Sequence, residues 1–217
     1  MDYIEKMPVR IRVAEIVRDA ILSGEFAAGR ELSLTDTAAQ LRVSRTPVRE
    51  AFQMLQAEGL IELRMNRGAV VKPIDEEFIT DHFDIRRLLE GEAVYRAIRR
   101  RIDPTPLVEL QRAITDAAAS SEVAALYDAY NQDFHQILWQ GSGSRKLHAF
   151  LETLWNGPSY SHTRGSDVDH VASIAEHAQL IEYVQQGDAE RGRRLMEDHI
   201  LRSLDIILAT VRGQQAK

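Results

Sequence analysis

L-R-V-S-R-T-P-V-R-E-A-F-Q-M-L, residues 41–55, contains one helix with two unlike sides. Val48, Ala51, Phe52 and Leu55 recur at spacings of three and four, which places them on one face of a helix and makes that face a core. Arg45 and Arg49 stand one turn apart near the helix start. In a helix that reads duplex DNA, the N-terminal residues are the ones that meet base edges. Arg45 and Arg49 are therefore candidate DNA contacts, and an arginine forked onto a guanine contributes ~1–3 kcal/mol of discrimination. Ser44 and Thr46 serve equally as helix caps or as phosphate contacts. Pro47 falls in the first turn, where a missing N–H is harmless.

The neighbouring sequence completes a DNA-binding module. Residues 8–23 carry Val13, Ile16, Val17, Ala20 and Ile21 at helical spacing and stop at Gly24. A short helix is expected over 34–41, with Ser33 or Thr35 as its cap, and Thr35 is also counted among the DNA-facing residues. The third helix spans about 45–58 and ends at Gly59. Two β-prone runs then flank Asn66-Arg67-Gly68, the pattern of a hairpin. Three helices and a hairpin make a winged helix-turn-helix over residues 1–73. Arg67 and a side-chain-free Gly68 are expected at the wing tip, against the DNA backbone or minor groove.

Charge follows this division. Residues 40–72 hold six basic and three acidic residues, whereas the whole chain of 217 residues carries a net charge of −6. The local excess governs contact with phosphates. Residues 73–217 hold 16 basic and 23 acidic residues, so that part should face away from DNA. The 44% apolar and 28% charged composition is that of a folded globular protein. There is no cysteine, which excludes disulfides and thiolate metal sites and suits a reducing cytoplasm. The opening M-D-Y-I-E-K-M-P lacks a signal-peptide pattern, and no apolar run approaches the roughly 20 residues that span a bilayer, so no membrane association is expected.

Beyond Pro73 the pattern is helical throughout. Segments 75–101, 104–120, 123–140, 144–155, about 168–186 and 189–212 predict an antiparallel bundle of about six helices over residues 74–217. Its first helix is read from Phe78, Phe83, Ile85, Leu88, Leu89, Ala93 and Val94, and Trp139 is expected in the core or a pocket wall. One long loop covers 156–166 and contains Tyr160 and Arg164, either a ligand lid or a mere connection.

Histidines supply a second constellation. His177 lies ten residues before Gly187 and His199 lies 12 after it, so on antiparallel helices they reach nearly the same height. His135 projects from the same helical face as Asn131, four residues earlier. A single histidine is more often a packing residue than a ligand. Three that converge suit a divalent ion, with the Asn131 carbonyl oxygen completing the set. Zn ranks first, and Ni, Fe and Mn are also compatible. Asp133 is the rival to Asn131, but two positions from His135 it points to the other side. His148, His162 and His170 are read as surface or loop residues.

Both halves resemble the GntR family of transcriptional regulators in its FadR-type branch. The N-terminal resemblance rests on Val43 to Ala51, L-Q-A-E-G-L at 55–60 and Asn66-Arg67-Gly68. The C-terminal resemblance is to the FCD ligand domain, through Arg86 to Glu90, Asp133-Phe134-His135, Glu176-His177, G-D-A-E at 187–190 and His199-Ile200. Two positions depart from the family pattern: Arg42 stands where a glycine is usual, and Asn131 where the metal-site aspartate is usual. The resemblance implies a homodimer on a palindromic operator in double-stranded DNA. It also implies a small organic acid effector near the metal, with Arg86 holding its carboxylate; the other reading of Arg86 is a surface ion pair with Glu90. A metabolite-responsive regulator, a repressor first, is thus the leading expectation. The alternatives are a metal-dependent hydrolase with an accessory DNA-binding domain and an architectural DNA binder with a structural metal.

Overall fold

Residues 8–64, 68–119, 123–155 and 170–215 are described by the structure, a computed structural model. They divide between two compact units, the first running to Phe78 and the second beginning at Ile79. The first unit contains α1 (Val9–Leu22), β1 (Glu31–Leu32), α2 (Leu34–Gln40), α3 (Arg45–Ala57), β2 (Ile61–Arg64) and β3 (Gly68–Val71). The three expected helices and the hairpin are present. The two-residue strand β1 was not expected, because two residues carry no readable period. It completes an antiparallel sheet of order β1-β3-β2, with Leu32 opposite Ala69 and Leu63 opposite that same Ala69 from the other side.

Val48, Ala51, Phe52 and Leu55 are all fully buried, as the stripe on α3 predicts. They pack on Val13, Ala14, Val17 and Ile21 of α1. Ile16, expected on that face, is instead half exposed, and Arg18 is buried. The reason is a partner. Arg18 donates from Nε and Nη2 to the two carboxylate oxygens of Glu58, at 2.8 and 2.6 Å. Both side chains are only 5% exposed. This forked pair ties the middle of α1 to the end of α3.

The expected position of Gly68 is corrected. It is buried in the sheet at the start of β3, opposite Arg64, and not at an exposed tip. Its φ is +96°, and a Cβ there would lie 2.0 Å from the Leu32 carbonyl oxygen. Glycine is required by the close approach of β1. Asn66 and Arg67 lie outside the described residues.

The turn between α2 and α3 has a helix-ending motif in which two backbone N–H groups reach back to the last turn. Arg42 N–H donates to Ala39 and Val43 N–H to Ala38. The residue between must be left-handed, and Arg42 has φ +54°. Gly59 plays the same part at the end of α3 with φ +78° and bonds to Gln56 and, through Leu60, to Leu55. Ser33 caps α2 by accepting from the Asp36 N–H at 3.3 Å, so Thr35 is not the cap.

The second unit contains α4 (Glu76–Arg99, from Ile79 onward), α5 (Thr105–Ala119), α6 (Val123–Gly141), α7 (Arg145–Trp155, as far as Leu154), α8 (His170–Gln186) and α9 (Ala189–Gln215). These match the six expected helices. Helix α4 is turned from its expected orientation: Ile85 and Leu88 are more than half exposed, while Arg86 and Glu90 are buried among Phe83, Ala93 and Val94. Hydropathy alone would face Leu88 inward; an internal charge pair reverses the choice.

Candidate metal centre and nucleic-acid face

In the first unit, the side of α3 opposite its core stripe is open. Ser44, Arg45, Thr46 and Arg49 are exposed, as are Thr35 and Arg42. Among the described residues neither Arg45 nor Arg49 makes an ion pair, whereas the adjacent Glu50 is engaged by Arg10 at 3.9 Å. The first turn of α3 has no acidic residue. Ser44 occupies the N-cap position without a side-chain cap bond, so its hydroxyl is not spent on the helix. The free N–H groups and positive end of α3 thus coincide with two arginines, an arrangement suited to phosphate and base contact.

In the second unit, α6, α8 and α9 bring His135, His177 and His199 together. Each offers a ring nitrogen within 4.8 Å of the others, and all three side chains are buried. Ring centroids are 5.4 Å apart for His135–His177 and His135–His199, and 4.8 Å for His177–His199. Helix α6 supplies this wall because Tyr127, Tyr130, Phe134, Leu138 and Trp139 share its buried stripe with His135. Phe134 stacks on His177 at 4.0 Å, 6° from parallel, and fixes that ring's plane.

Every histidine is held from behind through Nδ1. His135 Nδ1 lies 2.5 Å from Glu90 Oε2, which also accepts from Trp139 Nε1 at 2.9 Å. Glu90 Oε1 accepts from Arg86 Nε and Nη2 at 2.9 and 2.8 Å. His199 Nδ1 lies 2.6 Å from Glu176 Oε2, and Arg202 forks onto the same carboxylate at 2.7 Å. His177 Nδ1 lies 3.0 Å from the Tyr130 hydroxyl. A ligand histidine donates its outer N–H in this way, which leaves the inner nitrogen's lone pair for an ion.

Fit to a cation is visible in what lacks a partner. Among the described residues, His177 Nε2 and Asn131 Oδ1 are buried with no hydrogen-bond partner. Such groups are costly to leave unmatched. Three neutral imidazole nitrogens and an amide oxygen suit a first-row divalent ion. Asp133 is exposed and, with Glu109, Gln136 and Gln140, lines an open groove between α5 and α6. The geometry therefore favours Asn131 over Asp133.

Electrostatics at two of the three imidazoles agree with neutral ligands. Burial first, then the neighbouring His199 and His135, hold His177 well below the usual imidazole value. His199 is also lowered, chiefly by burial, against the opposing bond to Glu176. Burial pushes Glu90 upward, but His135, the Arg86 charge and the His135 and Trp139 hydrogen bonds outweigh it and keep the carboxyl ionised. Glu176 follows the same pattern and is lowered to about 2, since bonds from His199 and Arg202 overcome its partial burial.

Of the two readings of Arg86, the pair with Glu90 is present. It lies in the interior (6% and 1% exposed) and not on the surface. Its fork rests on a carboxylate of the chain itself. Tyr160 and Arg164 lie outside the described residues. His148 is half buried beside Trp139, and His170 stacks on Tyr127 at 4.1 Å. Glu90, Glu176, Tyr130 and Arg202 were not singled out as site residues. Glu90 had a signal: with Ile79, Phe83 and Val94 it falls in one stripe of α4 that is apolar but for His82, Arg86 and Glu90.

The gntR family of bacterial regulatory proteins matches residues 10–71, and the FCD domain matches residues 81–202. The chain belongs to the GntR family and carries an FCD domain. It is 33% identical over 71% of its length to the gluconate operon transcriptional repressor of Bacillus subtilis, of which it spans 62%. It is 28% identical over 89% of its length to the HTH-type transcriptional repressor RspR of Escherichia coli, covering 86% of that protein. Among solved structures, E. coli McbR/YncC superposes with a TM-score of 0.70 at 21% identity, over 97% of this chain and 100% of that one. These families and relatives are transcriptional regulators, not enzymes, so the hydrolase alternative is set aside. No helix among the described residues is long and apolar enough to cross a membrane.

Proposed function

We propose that this GntR-family chain is a repressor that binds a palindromic operator as a homodimer, and that a small carboxylate bound near a divalent ion in the FCD domain sets its operator affinity. The observation that carries the DNA-binding half is the pair of exposed arginines, without an ion pair among the described residues, at the acid-free start of α3. Arg45 and Arg49 read base edges; Ser44, Thr46 and Thr35 meet phosphates; Arg67 is proposed as a further DNA contact. The exposed apolar side chains of Ile85 and Leu88, three positions apart on α4, support a second copy as partner.

The ion would be held by His135, His177, His199 and Asn131, with Zn first and Ni, Fe or Mn as alternatives. When bound, it supplies a Lewis-acidic positive centre that attracts a carboxylate. The chain's own part is to orient three imidazoles and, at His177 and His199, to disfavour the charged form. Arg86 is assigned to Glu90, and through it to His135, so a carboxylate effector reaches the ion and not this guanidinium alone. Tyr160 and Arg164 are proposed to contribute to effector binding. An effector shifts operator affinity only through unequal affinity for two arrangements of the dimer.

The test uses duplexes selected from a random library by the protein itself. Arg45→Ala and Arg49→Ala are each expected to weaken binding to the selected site by ~1–3 kcal/mol, read by fluorescence anisotropy. Zinc-loaded protein is then titrated with a panel of mono-, di- and tricarboxylates. At least one is expected to change operator affinity; indifference to the whole panel would overturn the effector reading.

A further inference from the structure

We propose that Gln111 and Tyr130 are positioning residues that set the tautomer of His177, and so the affinity of the three-histidine centre for its ion. The proposal rests on the metal reading above and adds to it two residues on α5 and α6 that touch no ion.

The direction of each hydrogen bond follows from the one before it. Gln111 Nε2 donates to the Ile174 carbonyl at 3.1 Å, which leaves its Oε1 as the end facing Tyr130. An amide oxygen can only accept. The Tyr130 hydroxyl, 2.6 Å away, must therefore donate to it. With its one proton so used, the phenol oxygen can only accept from His177 Nδ1, at 3.0 Å. His177 is thereby obliged to carry its proton on Nδ1, and Nε2 is left as a lone pair. Among the described residues that nitrogen is buried with no hydrogen-bond partner. The chain starts at a backbone carbonyl of α8, three residues before His177 on the same helix, and returns to that helix through α5 and α6.

The other two histidines need no such relay. Glu90 and Glu176 are ionised carboxylates, which accept only, so His135 and His199 must donate to them whatever lies beyond. Tyr130 differs because a hydroxyl can donate or accept. Without Gln111 as its acceptor, it would turn its proton toward His177 Nδ1. The imidazole would then carry hydrogen on Nε2, the face offered to the ion. Gln111 thus decides the direction of a bond it does not itself make.

Three variants and two readouts test this. Gln111→Leu keeps Tyr130 but removes its acceptor; Gln111→Glu keeps an acceptor; Tyr130→Phe removes the hydroxyl. In metal-free protein, the ring nitrogen shifts of His177 should show Nδ1–H in wild type and Gln111→Glu. They should show Nε2–H in Gln111→Leu and a mixture in Tyr130→Phe. Zinc affinity by chelator competition should fall about 10–100-fold in Gln111→Leu and Tyr130→Phe, the usual consequence of losing an outer partner. Gln111→Glu should stay within about threefold of wild type. Gln111 is only half buried, so its variants report even if Tyr130→Phe folds poorly. An unchanged tautomer and zinc affinity in Gln111→Leu would overturn the relay. Wild-type protein that takes up no zinc would overturn the metal reading instead, while the nitrogen shifts of the metal-free protein still decide the relay.

Discussion

Replacing Arg42 by glycine should make the N-terminal unit more stable and its grip on DNA weaker. Arg42 sits at φ +54° in the turn between α2 and α3, where two backbone bonds to Ala38 and Ala39 require a left-handed residue. A side chain in that conformation costs about 1–2 kcal/mol, because Cβ crowds the following carbonyl. Glycine removes this cost but gives up about 0.5–1 kcal/mol in freedom lost on folding. The central net gain is therefore about 0.75 kcal/mol, on the order of 3–6 °C in the transition of a domain this small. The side chain is exposed beside Ser44 and Arg45, so its charge is placed to meet phosphate. Losing one phosphate contact should lower the slope of log K against log salt by about 0.9. Arg42→Lys separates the two effects: it keeps the charge and the Cβ, so it should match wild type in both. The assay pairs denaturant unfolding and hydrogen exchange of the α2 and α3 amides with operator binding at several salt concentrations. A glycine variant no more stable than the lysine variant would refute the strain argument, and an unchanged salt slope would remove Arg42 from the phosphate contacts.

Other consequences are as direct. Glu58→Ala leaves the Arg18 guanidinium buried and unpaired and should cost about 3–5 kcal/mol in chemical denaturation; the double replacement Arg18→Met, Glu58→Leu should cost far less. His82 is lowered to about 3, by burial and then by the Arg86 charge, against a hydrogen bond to the Leu154 backbone. Its folded value lies below its unfolded one, so the stability it contributes is complete above pH 6.5 and is lost as pH falls from there toward about 3. Wild type should therefore lose on the order of 2 kcal/mol more than His82→Phe between pH 7 and pH 4.5, measured by urea unfolding of the metal-free protein. Asn131→Asp should tighten zinc binding by about tenfold or more by adding a charged oxygen ligand, and Asn131→Ala should weaken it; equal affinities in chelator competition would remove Asn131 from the ligand set.

What could be read from sequence was whatever repeats locally. The α3 stripe recurs within four positions, and all four of its residues are at zero exposure. The joint height of His177 and His199 follows from counting along two helices joined by a short turn. The outer partners were less legible, because they depend on which face of α4 turns inward. Leu88 and Glu90 are two apart and cannot both be buried; the internal partners Arg86, His135 and Trp139 decide for Glu90. No local pattern reveals partners 45 and 49 residues away. Gly68 shows the opposite limit. The sequence marked it correctly as special, but the cause was a passing backbone 36 residues earlier and not a turn.

The charge balance around the histidines bears on what the proposed centre would bind. Its four candidate ligands, His135, His177, His199 and Asn131, carry no negative charge. The two carboxylates behind them are each matched by an arginine, Glu90 by Arg86 and Glu176 by Arg202. A divalent ion at this position would keep its full +2 in a buried setting, where unpaired charge is costly. An aspartate at position 131 would have halved that excess. Asparagine leaves it to be met from outside, and a small anion with oxygen donors is the ligand that both neutralises and coordinates. The departure from the family pattern that weakens the site toward metal therefore strengthens it toward an acid, and the two affinities should be linked. Zinc binding measured in the presence of a carboxylate that the protein recognises should tighten by the same factor as carboxylate binding measured in the presence of zinc. Asn131→Asp should shrink that factor; a factor that grows in this variant would contradict the charge argument.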